Sequence, residues 1–216
     1  MLLRRSWPLP LFAFLALPGL ALEWKSETIS VTTAPFQPTQ DVVFEFKNTR
    51  SKPVAVLDVQ TNCDCLAADA DRLVYAPGAT GTIKARFTVG DRAGRYERII
   101  SLVTDESPTP VRLMVRIDVP EIATVTPRSV VWLTNETAGD KTVELTAAAG
   151  LEITFTEALP TNAAFTARVE TVEAGRHYRL HLRPRDTAQP ASAAIRVSGR
   201  EKSGHAVIVS AYASVE

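Results

Sequence analysis

The sequence predicts an all-β protein built from two tandem β-sandwiches. Val, Ile and Thr alternate with polar residues at a period of two, which is the pattern of half-buried strands. Gly, Pro, Asn and Asp separate these runs at the intervals expected of sandwich strands. No segment shows a sustained helical period, so each hydrophobic core is expected to form between two sheets.

The first half of the chain contains seven strand candidates and ends at Pro120. One face of segment 53–60 carries Leu57 and Val59, which we therefore expect in the core. Segment 72–75 is short and is expected at the edge of a sheet. The seven candidates are 27–33, 41–47, 53–60, 72–75, 82–89, 95–104 and 111–119.

The alternating pattern restarts after Pro120, a residue that cannot donate to a strand ladder and can end a strand. We therefore expect a first sandwich at 22–120 and a second at 121–216, behind a leader at 1–21. The seven strand candidates of the second half are 130–133, 141–147, 151–157, 165–172, 177–183, 193–198 and 206–215.

The leader has the composition of a secretory signal peptide. Arg4 and Arg5 precede an apolar run at 7–20, and small residues stand at the last and third-last positions before Leu22. The apolar run is short and rich in proline, whereas a membrane span needs about 20 apolar residues. We expect a cleaved signal, a mature chain without a transmembrane segment, and a periplasmic or secreted location.

The composition excludes several classes of protein. The chain carries 24 Lys+Arg and 24 Asp+Glu, and loss of Arg4 and Arg5 would change its net charge from 0 to −2. That balance excludes a strongly basic nucleic-acid-binding surface and a polyacidic tail. An apolar content of 45% is typical of a globular protein. Two cysteines cannot form a disulfide framework, so each domain must be held by packing.

Cys63 and Cys65 are the only cysteines and follow the strand candidate 53–60. Thiols of exported proteins rarely stay free and unreactive, because disulfides form in oxidising compartments. In an extended strand, residues two apart have Cα atoms about 6.6 Å apart, near the upper limit for a disulfide. A Cys63–Cys65 disulfide would therefore need a turn, and its small ring would be strained and easily reduced.

Three interpretations of this pair stay open. The first is a disulfide that pins the loop, or two partly buried thiols. The second is a metal site, for which Cu(I) is the most suitable ion because two thiolates suit a soft metal. The third is a redox-active dithiol. Structural zinc is disfavoured, since it takes four ligands and the first half contains no histidine.

The loop carboxylates Asp64, Asp69 and Asp71 are the remaining polar candidates of the first half. They could serve an enzyme, but no nucleophile motif, phosphate loop or zinc-protease motif accompanies them. We therefore predict that the protein is not an enzyme and needs no cofactor.

His177 and His181 lie on one strand candidate of the second half, 177–183. Four residues along a strand span about 13 Å, too far for both to bind one ion. Tyr178, Leu180 and Leu182 occupy the opposite face and are expected in the core. The histidines, with Arg179 and Arg183, are expected to form a solvated cationic stripe.

The first half resembles a bacterial family, domain of unknown function 1573. The resemblance rests on FEFKNTRSKP around Asn48, a second strand at 54–59, the Cys-x-Cys of 62–65, and Tyr75-Ala76-Pro77-Gly78. Further matching residues are Gly81, Ile83, Phe87, Gly94, Thr104 and Asp105. The chain departs from the family pattern in the cysteine loop, where Asp64 replaces Gly, Asn62 replaces Ser and Leu66 replaces Thr.

The resemblance implies an Ig-like fold, similar to Hydin-type domains, over the first half. With the strand pattern of the second half, it leads to the prediction of two tandem Ig-like β-sandwich domains after a signal peptide. Function is expected to be non-catalytic, as a binding or structural module for an unknown protein or cell-envelope partner. The alternative is a periplasmic thiol protein that binds copper(I) or exchanges disulfides at Cys63 and Cys65.

Overall fold

The computed structural model describes residues 22–90 and 92–216. All 17 regular elements of these residues are strands, which confirms the all-β prediction. No helix within these ranges has the length and apolarity to cross a membrane. The predicted signal peptide at 1–21 lies outside the described residues.

The chain divides into two compact units. The predicted domain boundary at residue 120 stays a prediction, because each unit takes segments from the first half. Among the described residues, the first unit comprises 22–29, Asp41–Phe87 and Arg98–Val115, and the second comprises Ser30–Gln40, 88–90, 92–97 and Arg116–Glu216.

The strands of the first half form two sheets. A four-stranded sheet has the order β1-β3-β7-β5, and a five-stranded sheet has the order β2-β9-β8-β4-β6. These strands are β1 (Leu22–Trp24), β2 (Thr28–Thr32), β3 (Thr39–Asn48), β4 (Val54–Thr61), β5 (Leu66–Ala70), β6 (Val74–Tyr75), β7 (Thr80–Thr88), β8 (Gly94–Thr104) and β9 (Ser107–Val119).

The core of the first unit is formed by side chains that these two sheets direct towards each other. Phe46 on β3 contacts Tyr75 on β6 with ring centroids 4.7 Å apart, so the aromatic rings join one sheet to the other. The alternation in β7 buries one face, as the sequence indicates. Buried apolar residues of this unit include Phe44, Val54, Val56, Leu66, Ile83, Phe87, Ile100, Leu102, Leu113 and Val115.

The expectation that Leu57 belongs to the core is wrong. Its side chain is 63% exposed, whereas Val54 and Val56 are buried. A register shift interrupts the pairing of β4 with β8 between Val56 and Asp58. An irregularity of this kind reverses which residues face inward. The edge position predicted for 72–75 is confirmed, since β6 ends the five-stranded sheet.

The second half forms two sheets of four strands each, of order β10-β12-β15-β14 and β11-β17-β16-β13. One core cluster draws residues from both sheets, with Trp132 fully buried in it. The strands are β10 (Ala123–Thr126), β11 (Ser129–Trp132), β12 (Lys141–Ala147), β13 (Ile153–Pro160), β14 (Phe165–Glu173), β15 (His177–Pro184), β16 (Ala191–Glu201) and β17 (Ala206–Val215).

Candidate functional site

The cysteine pair lies in the loop between β4 and β5, where the chain passes from the five-stranded sheet to the four-stranded one. Cys63 and Cys65 are joined by a disulfide with their Cα atoms 5.2 Å apart. The loop is bent rather than extended, so the two Cα atoms come closer than the separation of an extended strand. Both residues are half-buried.

Backbone and side-chain hydrogen bonds hold this loop against β8. Asn62 donates its N–H to the carbonyl of Ile99 at 3.2 Å, and its Oδ1 accepts the N–H of Ile99 at 3.1 Å. The carbonyl of Cys63 accepts from the N–H of Leu66 at 3.3 Å and from Thr61 Oγ1 at 3.2 Å. The loop is therefore fixed by contacts additional to the disulfide.

Arg98 on β8 completes the cysteine site, and sequence reasoning missed it. Its Nε lies 3.1 Å from Cys65 Sγ. The guanidinium also lies over the ring of Phe87, 5.9 Å from its centroid, in a cation–π contact. Arg98 is 33 residues from Cys65 in sequence. Only the pairing of strands brings the two together, so no local motif could have identified this contact.

The three candidate carboxylates do not converge on one site. Asp64 is exposed between the cysteines, and Asp69 lies within β5, opposite Lys84 of β7. Asp71 instead supports the fold. No group of three or more His, Cys, Asp or Glu with a geometry suited to a metal occurs in the described part of the chain. Copper(I) binding would require the reduced cysteines, since a disulfide offers no thiolate.

Asp71 clamps Tyr75 and the start of β7. Its Oδ1 accepts hydrogen bonds from the hydroxyl of Tyr75 and from the N–H of Thr82, both at 2.8 Å. Burial disfavours the charged carboxylate, but these bonds and one from Arg72 outweigh it and lower the pKa of Asp71. Burial, together with the bond to Asp71, raises the pKa of Tyr75 to about 12.

A network of charged residues covers the outer face of the β10-β12-β15-β14 sheet. Nε2 of His177 lies 2.7 Å from Glu144 Oε2, and Arg179 Nε donates to Glu144 Oε1 at 2.9 Å. His181 Nε2 is hydrogen-bonded to Glu170. Strands β12 and β14 flank β15, so they supply the acidic partners from both sides.

The predicted stripe on β15 lies on the outer face as expected, but it is not purely cationic, because carboxylates of the neighbouring strands pair with it. The His181 side chain is only 14% exposed, and both histidines contact carboxylates. Asp140 adds a further negative charge, 3.7 Å from Arg183 and 3.9 Å from His181. These carboxylates were not expected, because periodicity along one strand says nothing about the charges on its neighbours. The companion expectation that Tyr178, Leu180 and Leu182 are core residues is confirmed.

This network makes stability depend on pH at the acid end. The hydrogen bond from Arg179 lowers the pKa of Glu144, with a further contribution from His177 and against the effect of burial. The bond from His181 similarly lowers the pKa of Glu170. A carboxyl with a lowered pKa stabilises the fold above its unfolded pKa, and this stabilisation is lost as pH falls through the folded pKa.

We expect Glu144→Gln to lower the free energy of unfolding at pH 7 by less than about 1 kcal/mol, because the pair is partly exposed. The difference from the wild type should shrink as pH falls from about 4.5, the ordinary value for this carboxyl. Urea unfolding of both proteins at a series of pH values from 7 downwards measures this difference, with Glu157→Gln on β13 as the control. A Glu144→Gln difference that stays constant at all pH values would contradict the expectation.

The outer face of the β11-β17-β16-β13 sheet carries four exposed large hydrophobic side chains. We call it the apolar face and define it by Val131, Leu159, Ile208 and Tyr212, with Arg196 among them. These four are among the ten large hydrophobic residues that are exposed in the described chain, and each is 39% to 53% exposed.

Small or polar residues lie between the large side chains of the apolar face. Leu159 is opposite Arg196, which in turn pairs with Ser210. Tyr212 is opposite Ala194 on the neighbouring strand. Exposed apolar side chains grouped on one face of a sheet can mark a site for another macromolecule. Sequence reasoning had not singled out this face, because alternation alone does not separate a solvated face from a binding face.

Comparison with known protein families gives a match over the first half of the chain. Residues 22–119 match the family described as "Protein of unknown function (DUF1573)", which confirms the resemblance found in the sequence. The match ends close to the end of β9. No curated protein matches the chain in sequence.

Several solved structures resemble the chain weakly and at low identity. A protein of unknown function from Porphyromonas gingivalis W83 is 13% identical, with a TM-score of 0.35, over 91% of this chain and 99% of that one. The ASH / PapD-like domain 7 of human CEP192 is 13% identical, with a TM-score of 0.38, over 53% and 99%. The YadV chaperone is 12% identical, with a TM-score of 0.33, over 89% and 100%. These weak likenesses carry no argument about function.

Proposed function

We propose that this chain, whose residues 22–119 carry a DUF1573 domain, is an exported, non-catalytic module that binds a protein partner in the cell envelope. The apolar face of the second unit is the observation that supports the proposal. Four large hydrophobic side chains on one outer face of a sheet remain exposed, and exposed apolar surface of this kind can mark a site for a protein partner. The leader composition supports export to the periplasm or the medium.

Tyr212 and Ile208 are the expected centre of binding. Both project from the same face of β17, four residues apart, and both are about half exposed. An exposed tyrosine combines a large apolar ring with a polar hydroxyl, and such residues are enriched in binding hot spots. Arg196 on the adjacent strand adds a cation that can pair with an acidic group at the rim of the partner's contact surface.

A double variant, Ile208→Ser with Tyr212→Ser, tests this assignment. We expect the stability of the fold to change little, because both side chains are exposed, and capture of the partner from native envelope to fall at least tenfold. Val172→Ser, an equally exposed position on β14 of the other sheet, is the matched control.

Quantitative pull-down of cross-linked envelope with the three proteins provides the measurement. Equal recovery of the same partner by the double variant and the wild type would contradict the assignment to this face. A robust hydrolytic turnover by the purified protein would contradict the non-catalytic proposal itself.

Thiol chemistry at Cys63 and Cys65 is a second candidate function, which the contact between Arg98 and Cys65 Sγ favours. Copper(I) capture is its metal form and would require both sulfurs as thiolates. Titration of the reduced protein with Cu(I), compared with a Cys63→Ser and Cys65→Ser double variant, tests it. Identical metal content of the two proteins would exclude copper capture at this pair.

A further inference from the structure

We propose that the Cys63–Cys65 disulfide is an asymmetric thiol–disulfide exchange site that accepts electrons from a dithiol protein. Cys63 is the sulfur that the partner attacks, and Cys65 leaves as a thiolate held by Arg98. The inference deepens the thiol candidate and is independent of the apolar face, which belongs to the other unit.

The asymmetry comes from the position of one guanidinium. Arg98 Nε contacts Cys65 Sγ at 3.1 Å. A cation beside a sulfur stabilises its thiolate and lowers the pKa of the thiol. In thiol–disulfide exchange, the sulfur with the lower thiol pKa leaves faster. The guanidinium therefore selects Cys65 as the leaving group and leaves Cys63 as the sulfur that forms the mixed disulfide.

The surroundings keep Arg98 and Cys65 together after the disulfide opens. Arg98 precedes Ile99, whose backbone exchanges two hydrogen bonds with Asn62. Cys65 precedes Leu66, which is buried and pairs with Phe87 on β7. The guanidinium of Arg98 contacts the ring of Phe87, the residue that pairs with Leu66, so Phe87 on β7 links the two anchors. Neither anchor depends on the sulfur–sulfur bond.

The disulfide also closes too small a loop to serve mainly as a structural bridge. It encloses Asp64 alone, with a sequence separation of 2. Stabilisation by a cross-link grows with the length of the loop that it closes, so this bridge constrains the unfolded chain less than an ordinary one. Both cysteines are half-buried, which leaves a path for an attacking thiolate.

The exchange balances as a two-electron transfer. A thiolate of the partner attacks Cys63 Sγ, the bond to Cys65 breaks, and its electron pair stays on Cys65 Sγ as a thiolate beside Arg98. The partner's second thiolate then attacks the partner sulfur of the mixed disulfide and releases Cys63. The partner dithiol is oxidised to a disulfide, Cys63 takes up one of its protons, and the other proton passes to solvent.

The first experiment measures the pKa of each thiol in the reduced protein, from the pH dependence of iodoacetamide alkylation followed by peptide mass spectrometry. We expect Cys65 to titrate below the ordinary value of about 8.5, and Cys63 nearer to it. Arg98→Met should raise the pKa of Cys65 towards this ordinary value and so lower its thiolate fraction at pH 7. Arg98→Lys should restore part of the effect, and Arg116→Met should have none.

The second experiment identifies the attacked sulfur. A thioredoxin whose resolving cysteine is replaced by serine serves as the probe, because it can form but not resolve a mixed disulfide. We expect the oxidised protein to be trapped through Cys63. Trapping mainly through Cys65, or a Cys65 pKa that Arg98→Met leaves unchanged, overturns the proposal. Loss of binding by the apolar-face variant would affect neither readout.

Discussion

Asn48→Leu is expected to lower the free energy of unfolding by about 3–5 kcal/mol, the range for loss of a buried hydrogen-bond network. Asn48 ends β3 and is fully buried. Its Nδ2 donates to the carbonyls of Tyr75 at 2.9 Å and Lys52 at 3.0 Å, with Ala76 at 3.2 Å. Its Oδ1 accepts the N–H of Arg50 at 2.9 Å.

The large effect follows because leucine cannot replace any of these bonds. The buried bond to the Tyr75 carbonyl and the part-buried bonds to Lys52 and from Arg50 would be lost, and each polar group left unsatisfied costs about 1–3 kcal/mol. Unfolding in guanidinium chloride, followed by tryptophan fluorescence, measures the change. Gln60→Leu replaces an exposed amide on β4 and should change stability by no more than about 0.5 kcal/mol. An Asn48→Leu variant as stable as this control would contradict the claim that the hydrogen bonds of the Asn48 amide stabilise the fold.

Gly81→Ala is expected to destabilise the fold by about 3 kcal/mol, the upper part of the range for overpacking a core. A Cβ at this buried position would lie 2.2 Å from Cε1 of Tyr75 and 2.6 Å from Cζ of Phe46. The two rings are packed edge-on and join the two sheets. Movement of the Tyr75 ring would open its bond to Asp71, and movement of the Phe46 ring would open its contact with Tyr75.

Gly90→Ala is the matched control, since a Cβ there meets no atom within 4 Å. It should be neutral or slightly stabilising, because alanine restricts the unfolded chain. Comparing the thermal midpoints of the two variants measures the difference. If Gly81→Ala and Gly90→Ala unfold at the same temperature, the glycine is not required by the space between the rings.

Strand position was predictable where one face of a strand is buried without interruption. The bounds predicted for β12 and β17 agree with the structure because their alternation is regular throughout. β10 and β5 were missed, since each is short and carries few large apolar residues. Leu57 shows the other limit, because a one-residue irregularity is invisible in composition and reverses the inward face.

The candidate site was predictable only in its local part. The two cysteines and the end of the preceding strand were readable from their spacing, whereas the contact with Arg98 depends on the pairing of β4 with β8. The acidic partners of His177 and His181 likewise come from adjacent strands. Interactions across strands require the register, and one sequence does not provide it.

Site-specific photo-crosslinking in the native envelope tests the proposed binding function most directly. A benzophenone amino acid at Ser210, in the middle of the apolar face, should yield one dominant protein adduct. The same group at Thr171, exposed on β14 of the other sheet, should not. Loss of the Ser210 adduct in the Ile208→Ser and Tyr212→Ser background would complete the expected result. No adduct from Ser210, or the same adducts from both positions, would contradict the proposal that this face binds a partner.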